Sequence, residues 1–156
     1  MQQHSQLQRE LEPTPPLTSA AQEAAIAILR TADVLRRRVT TLIEPHGITP
    51  QQYNVLRILR SAGGKPMPTL EIADRLIEQT PGITRLLDRL EAKGLVRRKR
   101  CPDDRRLVHC WITAAGLELL AGLAPAVEAL DASVVRGLAE WEVEHLIGTL
   151  ERVRRG

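Results

Sequence analysis

Aromatic side chains are almost missing from this chain: its 156 residues include no Phe, one Tyr and two Trp. A core must therefore be assembled from Leu, Ile, Val and Ala, which suits packed helices better than a sandwich of strands. No apolar run approaches the roughly 18 residues of a membrane span. The opening MQQHSQLQRELEPTPP has no basic start followed by an apolar stretch, so no signal peptide is expected. A cytoplasmic protein without membrane contact is the expectation. Cysteine is scarce too, with only Cys101 and Cys110. If the strands around them pair so that residue 101 faces about 106, Cys110 pairs near Arg97 and the two sulfurs lie several residue rises apart. Two free thiols are then expected, and the cationic neighbours of Cys101 leave a redox role open. His4, His46, His109 and His145 are scattered without metal-ligand spacing, and no glycine-rich phosphate loop is present. Neither catalysis, a metal site nor a cofactor is expected.

The remaining composition is that of an ordinary globular protein, 43% apolar and 26% charged, of a length suited to one domain. Net charge is only +3, but it is unevenly placed. From Arg85 to Arg106 there are nine Lys or Arg against four acids, a local excess of five, so the rest of the chain is net acidic. A polyanion-binding patch is plausible there.

Residues 1–17, Gln-rich and then Pro-rich with an EPTPP that cannot hold a helix, read as a flexible arm. Ser19 with Gln22 opens a long helix of about 19–44 that stops at Pro45-His46-Gly47. Its apolar stripe is Ile28, Ala32, Leu35, Val39 and Leu42, with Arg36, Arg37 and Arg38 on other, solvated faces. TPQQYNVLRIL repeats the entry device with Thr49 as cap, Pro50 and Gln52, and SAGGKPMP ends that helix. TLEIADRLI predicts a short helix capped by Thr69. EQTPGITRLLDRLEAKGLV predicts another, with Thr80 as cap, Pro81 and Gly82 in the first turn, and Ile83, Leu86, Leu87 and Leu90 facing inward. Gly94 closes it in a Schellman arrangement with Leu95 folded back on Leu90.

From Leu95 the period changes. LVRRKR and RLVHCWIT flank CPDDR, the pattern of a two-stranded hairpin, and Thr113 caps the next helix. That helix carries Leu117, Leu120, Leu123, Val127 and Leu130 inward and a kink at Pro125. A last helix, about 139–155, carries Val143, Leu146, Ile147, Leu150 and Val153 as its stripe. No internal repeat is present.

Two short helices joined tightly and followed by a hairpin give the order of a winged helix-turn-helix. The second short helix suits a major-groove reader, with Gly82, Thr84, Arg85, Asp88 and Arg89 opposite its apolar face. TPQQYNVLRIL, LEIADRL, TPGITRLLDRLEAKGLVRR and PDDRRLVHCWIT together resemble the multiple-antibiotic-resistance regulator (MarR) family of bacterial transcription factors, over roughly residues 20 to 155. The resemblance implies a mainly α fold with a small β-hairpin, in which residues 18–156 form a winged helix-turn-helix domain with N- and C-terminal dimerisation helices and a DNA-binding lobe of about 49–113.

It implies a homodimer that binds a pseudo-palindromic duplex as a ligand-responsive repressor, the ligand being a small phenolic or anionic effector. In the family an Arg at the wing tip enters the minor groove, steadied by an Asp two residues earlier; those positions are Arg106 and Asp104. Thr80, Pro81, Gly82, Thr84, Arg85 and Arg89 would lie at the major groove, and Thr69, Arg98, Arg100 and Arg105 at phosphates. His46, Tyr53 and Trp111 are candidates for the effector site. The alternative is a winged-helix module for protein contacts, with the basic hairpin as a solvated face.

Overall fold

The computed structural model describes residues 6–11, 17–78, 81–104 and 106–156. The chain divides into two compact units, 1–38 and 39–156. Among the described residues, no helix is long and apolar enough to cross a membrane.

In the first unit a short helix, α1 (Gln6–Glu10), precedes the Pro-rich stretch, which lies outside the described residues. Leu, Gln, Arg and Glu are all good helix formers. Gln8 is 6% exposed, and its Oε1 accepts the Leu17 N–H at 2.8 Å. The long helix α2 (Ala20–Ile43) opens as Ser19 Oγ accepts the Gln22 N–H at 3.1 Å. Gln22 in turn accepts from Thr18, one residue earlier than a standard capping box would place it. Within the Arg36–Arg38 run, Arg37 pairs with Asp33 at 2.9 Å across one helical turn, an exposed pair that contributes little.

The second unit takes in the last turn of α2, which ends in a 3-10 turn over Glu44–His46 and at Gly47 in the left-handed region. Next comes α3 (Pro50–Ser61), whose capping box is complete: Thr49 Oγ1 accepts the Gln52 N–H and Gln52 Oε1 accepts the Thr49 N–H, each at 3.2 Å. A two-residue strand β1 (Met67–Pro68) and the short helix α4 (Thr69–Asp74) follow, then α5 (Ile83–Ala92). Strands β2 (Val96–Arg100) and β3 (Val108–Ile112) lead to α6 (Ala114–Val134), which contains Pro125, and to α7 (Glu140–Arg155).

The sheet has three strands rather than the expected two, in the order β1-β3-β2, all antiparallel. Met-Pro alone is too short a signal to read as a strand. Its pairing with His109 and Cys110 covers the open edge of β3. Ile43, Leu56, Leu59, Ile72, Leu87, Leu90, Val96, Cys110, Leu120 and Leu123 form the core, each 2% exposed or less. Each large aliphatic side chain so buried contributes about 1.5–3 kcal/mol. In α6 the expected inward face is half right. Leu120 and Leu123 are buried, whereas Leu117 is 44% exposed.

The ends of the chain keep apolar surface in water. On α2, Ile28 and Leu29 are exposed; on α7, Leu146, Ile147 and Val153 are exposed, as is Trp141. None of the described residues of α7 is buried.

Candidate nucleic-acid interface

Three buried leucines orient the second short helix. Leu86, Leu87 and Leu90 face the core, so Thr84, Arg85, Asp88 and Arg89 must share the opposite, exposed face. Its N-terminus differs from expectation. The helix begins at Ile83, and Pro81 and Gly82 form the turn ahead of it, with Gly82 as N-cap at φ 103°. A Cβ there would meet nothing within 4 Å, so the requirement for glycine is conformational: side chains with a Cβ rarely adopt this φ. Thr80 lies outside the described residues.

The C-terminus of α5 matches the sequence reading. The Leu95 N–H reaches Leu90 O at 3.0 Å and the Gly94 N–H reaches Glu91 O at 2.9 Å, the Schellman pair. Lys93 Nζ donates to Gly47 O and to Gln52 Oε1, tying the end of this helix to the start of α3.

In the hairpin, Arg98 faces Cys110 and Arg97 faces Trp111, one residue away from the expected register. Val96, Arg98 and Arg100 therefore share one face of β2, and Arg97 and Lys99 the other. Cys101 and Cys110 are both free thiols. Cys110 is fully buried; desolvation pushes its pKa up, against the lowering effect of the Thr69 hydroxyl and of Arg98. A thiol so placed is a poor redox sensor.

The structure gives Arg98 partners that the sequence reading did not name, the carboxylates of Asp88 and Glu91. Nη2 lies 2.5 Å from Asp88 Oδ1 and 2.7 Å from Glu91 Oε2, Nε donates to the same Oε2 at 3.0 Å, and the Arg98 backbone N–H donates to Glu91 Oε1 at 2.9 Å. Burial lowers the guanidinium pKa, but the hydrogen bonds and charges of Glu91 and Asp88 outweigh it and hold the group above its ordinary value. The Thr69 hydroxyl is also engaged within the lobe. The N-cap of α4 is Pro68, with no side-chain capping bond, and Thr69 Oγ1 donates to Val108 O at 3.2 Å.

At the tip, Asp104 Oδ1 accepts the Arg106 backbone N–H at 2.9 Å and Asp104 O accepts the Leu107 N–H at 3.0 Å. The carboxylate thus shapes the turn through the main chain, in place of the expected grip on the guanidinium. Arg106 and Arg100 are exposed, and Arg106 forms no ion pair among the described residues. Arg105 lies outside the described residues.

The three effector candidates sit on different elements. His46 is exposed at the end of the 3-10 turn. Tyr53, 9% exposed, belongs to the core with Arg57 over its ring at 5.9 Å. Trp111 lies under Arg97 at 4.8 Å and meets His109 edge-on at 6.0 Å. A cavity of about 290 Å³ lies elsewhere, in the first unit, between Gln6, Leu7 and Glu10 of α1 and Ala27, Arg30 and Val34 of α2.

Sequence reasoning misses Glu91 as a partner of Arg98. The spacing of Asp88 and Glu91, one helical turn apart, is the available signal. It also misses Gly116, where a Cβ would stand 2.5 Å from Leu95 O and 2.7 Å from Ile112 Cγ1. The start of α6 crosses the root of the hairpin too closely for any side chain.

Comparison with known proteins agrees with this architecture. The MarR family model matches residues 48–108. The HTH-type transcriptional regulator MhqR of Bacillus subtilis (strain 168) is 31% identical over 137 residues, which cover 88% of this chain and 93% of that protein. The crystal structure of a MarR transcription factor from Planctomyces limnophilus superposes with a TM-score of 0.68 at 40% identity, over 87% of this chain and 98% of that one. A cysteine-to-serine mutant of E. coli MarR, solved in complex with operator DNA, gives 0.78 at 26% identity over 89% and 99%. The three-stranded winged lobe, the exposed polar face of its reading helix and these matches agree: the chain belongs to the MarR family of transcriptional regulators.

Proposed function

We propose that the protein acts in the cytoplasm as a homodimeric, sequence-specific DNA-binding repressor and catalyses no reaction. The observation that carries this reading is the exposed polar face of α5, Thr84, Arg85 and Arg89, on the same lobe as the exposed Arg106. The E. coli MarR complex with operator DNA supports it by analogy. The α5 face, with Thr80 and the Pro81-Gly82 turn ahead of it, enters the major groove, and Arg106 the adjacent minor groove, where its charge suits the stronger negative potential of a narrow groove. Arg100 and Arg105 bind phosphates. Arg98, whose Nε and Nη2 are taken by Asp88 and Glu91, is left out of the contact set, and Thr69, whose hydroxyl donates to Val108 O, offers phosphate only its backbone N–H at the start of α4.

Two copies join through the apolar stripes of the first and last helices, which a single copy leaves exposed. Two-fold symmetry then calls for a pseudo-palindromic site with half-sites about one helical turn apart. A small phenolic or anionic effector relieves repression.

The test is a gel shift with the gene's own upstream region and with duplexes selected from a random pool, repeated in the presence of phenolic acids. The expected result is a selected palindrome, bound more tightly than unrelated DNA, with occupancy reduced by a phenolic ligand. Equal, weak binding to all duplexes, unchanged in Arg106→Ala, would favour a protein-interaction module instead.

A further inference from the structure

Within the DNA-binding reading, on which this inference rests, the structure assigns Arg98 the role of a positioning residue that sets the angle of the wing against the reading helix through Asp88 and Glu91. Its surroundings argue against a phosphate contact. The Arg98 side chain is 19% exposed, less than Asp88 at 53% or Glu91 at 40%. One guanidinium shared by two carboxylates leaves a cluster of net charge −1, which repels phosphate. Glu91 holds Arg98 with both oxygens, one on the backbone N–H and one on the guanidinium. That is a two-point grip on a strand, stronger than neutral hydrogen bonds.

The grip sits where it has leverage. Arg98 is in the middle of β2, at the root of the wing, while Arg106 lies beyond the turn. Five residue steps separate Arg98 from the turn at Asp103, about 16 Å at ~3.3 Å per residue. A rotation of roughly 10° at the root would carry the tip about 3 Å, whereas a hydrogen bond tolerates only a few tenths of an ångström. Thr69 Oγ1 on Val108 O fixes the other strand to α4. The same arrangement offsets part of the charge of Asp88, which otherwise presents a bare carboxylate on the face that reads DNA.

The experiment compares Arg98→Ala, Glu91→Gln, Arg106→Ala and the double variant Arg98→Ala/Arg106→Ala on one duplex selected by the wild-type protein, at low salt and across a salt series. Failure of the wild-type protein to select any duplex would sink the DNA reading itself. Given selection, folded Arg98→Ala should bind roughly tenfold more weakly. The double variant should bind no more weakly than Arg106→Ala alone, the non-additivity of two residues acting through one contact. Glu91→Gln, which keeps the Arg98 charge, should weaken specific binding as well, and it carries the test if Arg98→Ala does not fold. The inference is overturned by additive losses with a salt slope lowered by a further ~1, the mark of a direct phosphate contact. Tighter binding by Glu91→Gln, or unchanged binding by folded Arg98→Ala, overturns it equally.

Discussion

Root and tip of the same hairpin treat their arginines in opposite ways. At the root, Arg98 is turned inward and held by Asp88 and Glu91. At the tip, Arg106 is exposed, and the nearest carboxylate in sequence, Asp104, is occupied with the Arg106 backbone N–H. The difference shows that a count of cations along a strand overstates the charge available to a polyanion. Strand face and position along the strand together decide which side chains reach the acids of a neighbouring helix: Arg98 does, while Arg100, on the same face but nearer the tip, is exposed. The root is built for rigidity and the tip for contact.

Apart from Arg98, whose effect on binding runs through the wing, changes at the root should therefore cost stability, and changes at the tip should cost binding. The largest effect is expected at Gly116. Gly116→Ala forces a methyl against the Leu95 carbonyl and Ile112, and should lower the unfolding free energy by about 3 kcal/mol in a urea titration. At the tip, Arg106→Ala should lose about 2 kcal/mol of specific DNA binding, with unfolding changed by less than about 0.5 kcal/mol. A variant that loses both would erase the distinction between the regions.

Thr113 tests the root more gently. Its Oγ1 donates to Gly94 O at 2.7 Å and accepts the Gly116 N–H at 3.2 Å, so Thr113→Ala should cost about 1 kcal/mol of stability. Asp104→Ala removes one turn hydrogen bond at the tip and should reduce DNA affinity by about 0.5–1 kcal/mol, less than Arg106→Ala. The smallest effect concerns the thiols. Alkylation of the folded protein should modify the half-buried Cys101 and spare Cys110, as mass spectrometry would show. Because burial raises the Cys110 pKa, the unfolded chain releases that proton first, and this contribution to stability is lost as pH rises above the ordinary thiol range.

Much of the fold is legible because its signals are local. The Thr49 capping box, the Schellman end at Gly94 and Leu95, and the Thr113 cap depend on residues within one turn of each other, and all three are present as read. The start of α5 escapes such reading because Pro81 is as compatible with a turn as with a first helical position. The expected hairpin register is off by one because the tip is longer than a minimal turn. A one-residue slip exchanges the faces of a strand. Alternation alone places Arg98 on the face of Val96; what it leaves open is that Asp88 and Glu91 stand opposite that face.

What the sequence determined by itself was the order of the main helices and the hairpin, the apolar face of α5 and the concentration of positive charge between Arg85 and Arg106. These follow from periodicity, capping and composition, which act over a few residues. Only the tertiary structure decided which cations are turned inward, that Thr69 and Glu91 brace the wing from two helices, and that Gly116 must stay bare. Those outcomes depend on groups distant in sequence or brought together by a strand's register. No local pattern encodes that register until the sheet and the helices have packed.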